Sequence, residues 1–389
     1  MAGGISPWYH HVGAVQEDRR QFNNAPPVMQ WHERNETYLY NRQPVANIGL
    51  LWSQENTEFY GRDDVEEKVS LPWHGFVRAM TRARIPFLPV HADHIDREAA
   101  KLSLLILPDL AAMTDAQCEA VQRFVESGGS LLFTGMAATL NEWGERRGPF
   151  PLERVTGLRH LHEVAGTEGK SSSNWEVFET HNYFRLPEDR HPVVAGFEET
   201  ATLPFGGSVR LVESDGRLHP IATYIPDYPI YPPEFSWVRE PHTDIPVMLA
   251  GEHPAGGRIF YFAGDVDRSY GRTFLPDLGD LLANAVKWAA NDSLPVKIEG
   301  PGYLDCKLYK QDGRWILHIV NLSGTNQNPG YVEEFLPVGP LKVSIRTGET
   351  APQRALLRVA GTELKPAAAD GWTTLQLDSV VSHELIVLE

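Results

Sequence analysis

Cysteine is almost absent: Cys118 and Cys306 are the only two in 389 residues. They lie far apart, with no CxxC or Cys/His cluster around them, which excludes a disulfide framework and a thiolate zinc site. Cys118 falls on the apolar side of the helix expected in "TDAQCEAVQRFVESGG", the setting of a buried, inert thiol. Long apolar runs are missing too. None approaches the roughly 20 residues needed to span a bilayer, and the opening "MAGGISPWYHH" has neither the charged nor the apolar region of a secretory leader, so the expectation is a cytoplasmic protein. Positive charge is in short supply, with 35 Lys and Arg against 51 Asp and Glu and a formal charge of -16. Nucleic-acid backbones and anionic membranes are repelled by such a chain and are not expected as partners. No glycine fingerprint for a dinucleotide, no phosphate-binding loop and no His/Glu metal cluster occurs, so neither a cofactor nor a metal is expected.

What remains is the composition of a folded protein, 42% hydrophobic, 10% aromatic and 22% charged. Its length predicts two or three domains. From Pro44 onward, buried strands such as "VANIGLLWS" and "KLSLLILPDL" alternate with amphipathic helices such as "PWHGFVRAMTRARI" and the Thr-capped "TDAQCEAVQRFVESGG". That rhythm predicts an α/β domain, a parallel sheet covered by helices on both faces. Residues 149–245, dense in Pro, Gly, Tyr and Trp, read as an ordered excursion or small antiparallel elements packed on the sheet. "IPVMLAGEHPAGGRIFYFAGD" then reads as two strands around a "PAGG" turn, and "FLPDLGDLLANAVKWAAND" as a closing helix. After Ser293 the period becomes two, with short strands and a hairpin around "QDG", the pattern of a small all-β sandwich.

Open parallel sheets bind ligands beyond the carboxyl ends of their strands. At the turn after "SLLFTG", where a nucleophile elbow would present Ser or Cys, this sequence has Met136, and a thioether cannot attack a carbonyl. The last strand of the sheet runs into "AGDVDRSYGR", which puts Asp265, Asp267 and Arg268 at its carboxyl edge. A DxD with an adjacent Arg suits sugar hydroxyls, a divalent ion or a carboxylate; the plainer alternative is a polar turn in which Arg268 pairs with a neighbouring aspartate. "YPPEFSWVREPHTD" gathers Tyr231, Glu234, Trp237, Arg239, Glu240 and Asp244. Flat rings beside charged groups are the chemistry of sugar recognition, although a proline-rich aromatic loop also packs on itself or on a neighbouring subunit. In "PWYHH", Trp8 with His10 and His11 suits the border of a sugar subsite; adjacent histidines point apart and do not make a metal pair.

The stretches "GGISPWYHHVGA", "VANIGLLWSQENTEFYG", "LPWHGFVRAMTRARIPFLPVHADHI", "LLILPDLAAMTDAQCEAVQRFVESGGSLLFTG", "FYFAGDVDRSYGRTFLPDLGDLLANAVKWAAND" and "LHIVNLSG" together resemble the second half of a group of bacterial glycoside hydrolases related to the family 42 β-galactosidases. The resemblance covers nearly the whole chain. It implies three parts: residues 1–43 as the last strand and helix of a (β/α)8 barrel, residues 44–292 as a flavodoxin-like, class I glutamine amidotransferase-like trimerisation domain, and residues 293–389 as the C-terminal β domain. The seven preceding strand-helix units, which in such barrels carry the catalytic carboxylates, are not in this sequence.

Retaining glycoside hydrolysis needs two carboxyl groups about 5 Å apart, and no such pair can be nominated here. Glu33 and Glu36 qualify by residue type alone, so the catalytic residues stay unassigned. The expected function is that of a part or subunit of a glycoside hydrolase acting on a β-galactoside-like or other small glycoside. It supplies oligomerisation and edge-of-site residues to a barrel encoded separately or removed, with carbohydrate as ligand, a homotrimer as the implied assembly and a separate barrel subunit as a further partner. The alternatives are a non-catalytic carbohydrate-binding or oligomeric scaffold, and a hydrolase or isomerase acting through the DxD.

Overall fold

The computed structural model describes residues 1–10, 17, 19–166, 182–228, 232–291, 293–324 and 334–389. The chain divides into two compact units. One is formed by Met1–Val45, Arg84–Pro86 and Pro295–Glu389, the other by Ala46–Ala83 and Phe87–Leu294. Among the described residues no helix is long and apolar enough to cross a membrane.

The first unit opens with residues 1–43, likened above to the last strand and helix of a barrel; of these, residues 1–10 contain no strand. Helix α1 (Ala25–Asn35) begins on Pro26 and Pro27, tolerated in a first turn because the missing N–H groups would have no helical partner there. Instead of running to residue 43, it gives way to a 3-10 turn over Glu36–Tyr38 and the two-residue strand β1 (Gln43–Pro44).

The second unit is built on strands β2 (Ile48–Trp52), β3 (Leu88–His91), β4 (Leu104–Leu107) and β5 (Ser130–Thr134). Between them lie helices α2 (Leu71–Arg82), α3 (Ile95–Glu98) and α4 (Asp115–Glu126). The expected Thr cap on α4 is a reciprocal capping box: Gln117 N–H donates to Thr114 Oγ1 at 3.1 Å and Thr114 N–H to Gln117 Oε1 at 3.0 Å. Cys118 is buried on its inner face. After α5 (Glu153–Thr156) the excursion resolves into β6 (Leu158–Gly166), β7 (Tyr183–Arg185), β8 (Thr202–Pro204), β9 (Ser208–Ser214) and β10 (His219–Ile225). Strands β11 (Pro246–Glu252) and β12 (Arg258–Phe262) and helices α6 (Val266–Thr273) and α7 (Pro276–Ala289) complete the unit.

The main sheet has the order β3-β2-β4-β5-β12-β11-β10-β7-β8, while β6 and β9 pair as a separate antiparallel ribbon. The five strands from β3 to β12 are parallel, and every pairing beyond β12 is antiparallel. The purely parallel sheet read from the sequence is thus corrected to a mixed one. The reason is local: a short turn such as "PAGG" joins only antiparallel neighbours, so β11 reverses direction and the excursion continues the sheet from there. Helix α2 packs with α6 and α7, and α3 with α4; right-handed crossovers put these two sets on opposite faces.

In the first unit, β13 (Val296–Glu299), β14 (Leu304–Gln311), β15 (Arg314–Asn321), β16 (Leu341–Arg346), β17 (Ala355–Leu357), β18 (Thr362–Leu364), β19 (Ala367–Ala369), β20 (Trp372–Leu377) and β21 (His383–Leu388) form two antiparallel sheets. Their orders are β1-β14-β15-β21-β17-β18 and β13-β16-β20-β19. Alternate residues Leu304, Cys306, Leu308, Leu317, Ile319, Val343 and Ile345 meet in the core between them. The other face of the larger sheet is buried as well, because Leu39, Trp31, Tyr38 and Met1 pack over Tyr309, Ile316, Leu385 and Val387. That is why "WILHIV" reads as a nearly unbroken apolar run rather than an alternating one.

His318 sits fully buried in this second layer. Arg42 approaches its Nε2 at 2.5 Å; a guanidinium only donates, so Nε2 accepts and the proton resides on Nδ1, facing His383 Nε2 at 3.0 Å. Burial, then His383 and Arg42, push His318 down to about 2, and burial pushes His383 down to about 4. Both imidazoles are neutral when folded but take up protons near pH 6.5 when unfolded. Stability that is whole above that pH is therefore lost as the pH falls towards 4. Urea unfolding should show that His383→Gln reduces the loss between pH 6.5 and 4 by about 3 kcal/mol relative to the unsubstituted chain; parallel pH profiles would show that these rings do not set it.

Candidate functional site

The carboxyl ends of the parallel strands converge on a buried polar cluster. Asp109 follows β4, Thr134 ends β5, and Asp265, Asp267 and Arg268 follow β12 where α6 begins. Asn56 and Tyr60 come from one turn of π-helix after β2. The Arg268 guanidinium donates to Asp109 Oδ2 at 2.6 Å and to Asp265 Oδ2 at 3.0 Å. Tyr60 donates its hydroxyl to Asp109 Oδ2 at 2.8 Å, and Met136 its N–H to Asp109 Oδ1 at 2.7 Å. Thr134 Oγ1 donates to Asp267 Oδ2 at 2.6 Å while accepting from the Asp109 N–H at 2.8 Å. The Arg268 N–H meets Asp267 Oδ1 at 2.9 Å, and Ser208 donates its N–H to Asp265 Oδ1 at 2.8 Å and its hydroxyl to Oδ2 at 3.3 Å.

All six oxygens of the three carboxylates therefore have donors, in a place where Asp109 and Asp267 are each 1% exposed. Burial first, then Asp109, pushes Asp267 up to about 7, and burial also raises Asp265. Burial opposes the Arg268 charge, but Asp265 and Asp109 outweigh it and hold the guanidinium firmly protonated. The local backbone is shaped to fit. Gly135 turns with φ of 55° beside the Asp109 carboxylate, and a Cβ at Gly207 would collide with the Asp265 carboxylate.

Chemically this is a brace joining the ends of three strands. The structure brings Asp265, Asp267 and Arg268 together, with Arg268 paired to Asp265 as the plainer alternative required. Asp109, Tyr60 and Thr134 complete the brace and were missed from the sequence. The available signal was a lone acid directly after the buried run "LLILP".

Glu234 and Arg239 lie elsewhere, on an exposed loop of the same unit, where Phe235 is 57% and Trp237 55% exposed. Arg239 stacks 4.4 Å over the Trp237 ring and donates to the carbonyls of Phe235 and Trp237, so it helps to hold the loop. Tyr231 lies outside the described residues. Trp8 belongs to the first unit; it is 79% exposed, with the exposed His10 ring 4.6 Å away. His11 lies outside the described residues. Among the described residues, no group of three or more His, Cys, Asp or Glu side chains is arranged to hold a metal.

Removing the cation from the brace strands the two buried carboxylates that it pairs, Asp109 and Asp265. Arg268→Met should cost about 3–5 kcal/mol in urea unfolding followed by circular dichroism. A loss below about 1 kcal/mol would mean that the guanidinium is not what holds the strand ends.

No family model and no curated protein matches the chain, but solved structures do. α-L-Fucosidase isoenzyme 2 from Paenibacillus thiaminolyticus superposes with a TM-score of 0.71 at 19% identity, over 96% of this chain and 53% of that one. The β-galactosidase from Bacillus circulans sp. alkalophilus gives 0.62 at 14% identity, over 96% of this chain and 46% of that one. Gan42B, a GH42 β-galactosidase from G. stearothermophilus, gives 0.62 at 13% identity, over 96% and 44%. The chain thus spans about half the length of the structures it matches, and at these identities the likeness is one of fold. Its fold resembles part of a GH42-type enzyme.

Proposed function

We propose that these residues serve as the part of a glycoside hydrolase that lies outside its catalytic barrel, contributing assembly and the edge of the sugar site for a β-galactoside-like or other small glycoside. The coverage carries this reading: 96% of the chain aligns with about half of an α-L-fucosidase and of two β-galactosidases, so both units recur together inside glycosidases. The α/β unit takes the flavodoxin-like, amidotransferase-like trimerisation role. In support, its five parallel strands, counted in chain order, lie in the order 2-1-3-4-5. The barrel comes from outside these residues, on the same polypeptide or a separate one, and the complex works in the cytoplasm as a homotrimer.

Trp8 with His10 and His11 offers a stacking surface for a pyranose, and Glu234 and Arg239 are the α/β unit's contribution to the sugar or to an adjoining subunit. The brace of Asp265, Asp267 and Arg268 keeps the supporting strand ends rigid. Its fully engaged carboxylates also favour a second reading, a carbohydrate-binding or oligomeric scaffold with no catalysis of its own.

The purified chain should leave a panel of aryl glycosides intact, assemble as a trimer by native mass spectrometry, and support hydrolysis once a barrel polypeptide is co-expressed. Turnover by the chain alone overturns the glycosidase-part reading, and sugar binding without turnover in any combination favours the scaffold. In the active complex, Trp8→Ala should raise KM about tenfold, the value of one ring stack. The melting temperature should not move, because an exposed ring contributes little to the fold; an unchanged KM would remove Trp8 from the sugar site.

A further inference from the structure

We propose that the α/β unit carries a binding site for a small molecule bearing an oxyanion, a carboxylate or a phosphate, between the β6–β9 ribbon and the segment that follows β5. The site is independent of the glycosidase reading. Two adjoining cavities of about 230 and 170 Å3 share Thr139, His160 and His162 in their walls. Met136, in the turn after β5, lines the smaller one. This is the end of the sheet where open parallel folds take their ligands.

The walls are unusually basic for a chain of formal charge -16. Arg146, Arg147, Arg159 and Arg210 line the two cavities, against the carboxylates of Glu153 and Glu163. Arg147 is fixed by Asp115 and by the carbonyls of Leu140 and Met113, and Arg159 by Glu213. Arg146 is exposed, and no ion pair engages it among the described residues. A guanidinium left available beside two fixed ones is the arrangement that recognises planar or tetrahedral oxyanions.

Two histidines sharpen the site. His160 is 91% buried, being 9% exposed, and its Nε2 has no hydrogen-bond partner. Its ring packs 4.5 Å from Phe150 and 5.6 Å from Tyr261. The nitrogen is closed to solvent in this arrangement, so a ligand oxygen reaches it only with a small turn of the ring towards the cavity, which would satisfy it. Burial, then His162 and Arg210, push His160 down to about 3, so the ring is neutral and can donate one N–H to an oxyanion. His162 has a φ of 60°, a conformation that β-strand residues other than glycine avoid, where the register of β6 against β9 slips between His160 and Val164. The bulge holds His162 at the cavity wall, and strain of this kind gathers at binding sites.

The test uses the full chain at low ionic strength, titrated separately with inorganic phosphate and with acetate, and read by melting temperature and by the imidazole resonances of His160 and His162. A saturable rise in melting temperature with shifts of both rings is expected for at least one anion; phosphate alone identifies a phosphorylated ligand and acetate alone an organic acid. Arg146→Gln and His162→Gly should each weaken binding about tenfold. Neither should lower the melting temperature of the unliganded chain, since both side chains are exposed and glycine accepts the positive φ. No response to either anion, an equal response to chloride, or undiminished binding by both variants overturns the proposal.

Discussion

One buried cation organises the carboxyl end of the main sheet. The side chain of Arg268 is 11% exposed, and its two terminal nitrogens reach aspartates that follow different strands, Asp109 after β4 and Asp265 after β12. Moving a guanidinium and three carboxylates out of water is expensive, and near-complete pairing, with the Arg268 Nε left without a partner, makes it tolerable. Completion draws in Tyr60 from beyond β2, Thr134 from the end of β5 and Ser208 from β9. The tight turns at Gly135 and Gly207 follow from the same need, because the carboxylates occupy the space that a side chain would take.

The first unit obeys a different constraint. Its larger sheet has two apolar faces, and a sheet cannot leave both in water. One meets the smaller sheet in the sandwich core; the other is covered by residues from the first 45 positions, led by Leu39 and Trp31. That cover encloses His318 and obliges it to find partners in Arg42 and His383. The N-terminal segment therefore belongs physically to the β unit.

The fold places these residues alongside parts of an α-L-fucosidase and of GH42 β-galactosidases, enzymes about twice as long as this chain. A brace with every oxygen engaged is suited to rigidity rather than to acid-base work, since a general acid or base needs a lone pair or proton facing substrate. Exposed rings such as Trp8 and Trp237 have the opposite character: they contribute little to stability and are available for contact. The basic cavity beside the β6–β9 ribbon is a third kind of place, enclosed but incompletely paired. Support, contact and ligand capture thus fall to different residues.

Local sequence determined the elements whose causes are local. Buried runs such as "IGLLW" and "LLIL", the Thr114 capping box and the period of two after Ser293 specify strands, a helix start and a β domain without reference to distant residues. Asp265, Asp267 and Arg268 were legible as a group because they sit within four positions of one another. Their partners were not: Asp109 is 159 residues from Arg268, and nothing in a one-dimensional pattern tells which carboxylate a buried cation will meet. The same limit hid the excursion strands that extend the sheet, the N-terminal cover on the β unit and the unpartnered nitrogen of His160. Propensity and periodicity act over a few residues and are written in the chain. Pairing of buried charges and covering of apolar faces depend on which segments come together, and only the tertiary structure decides that.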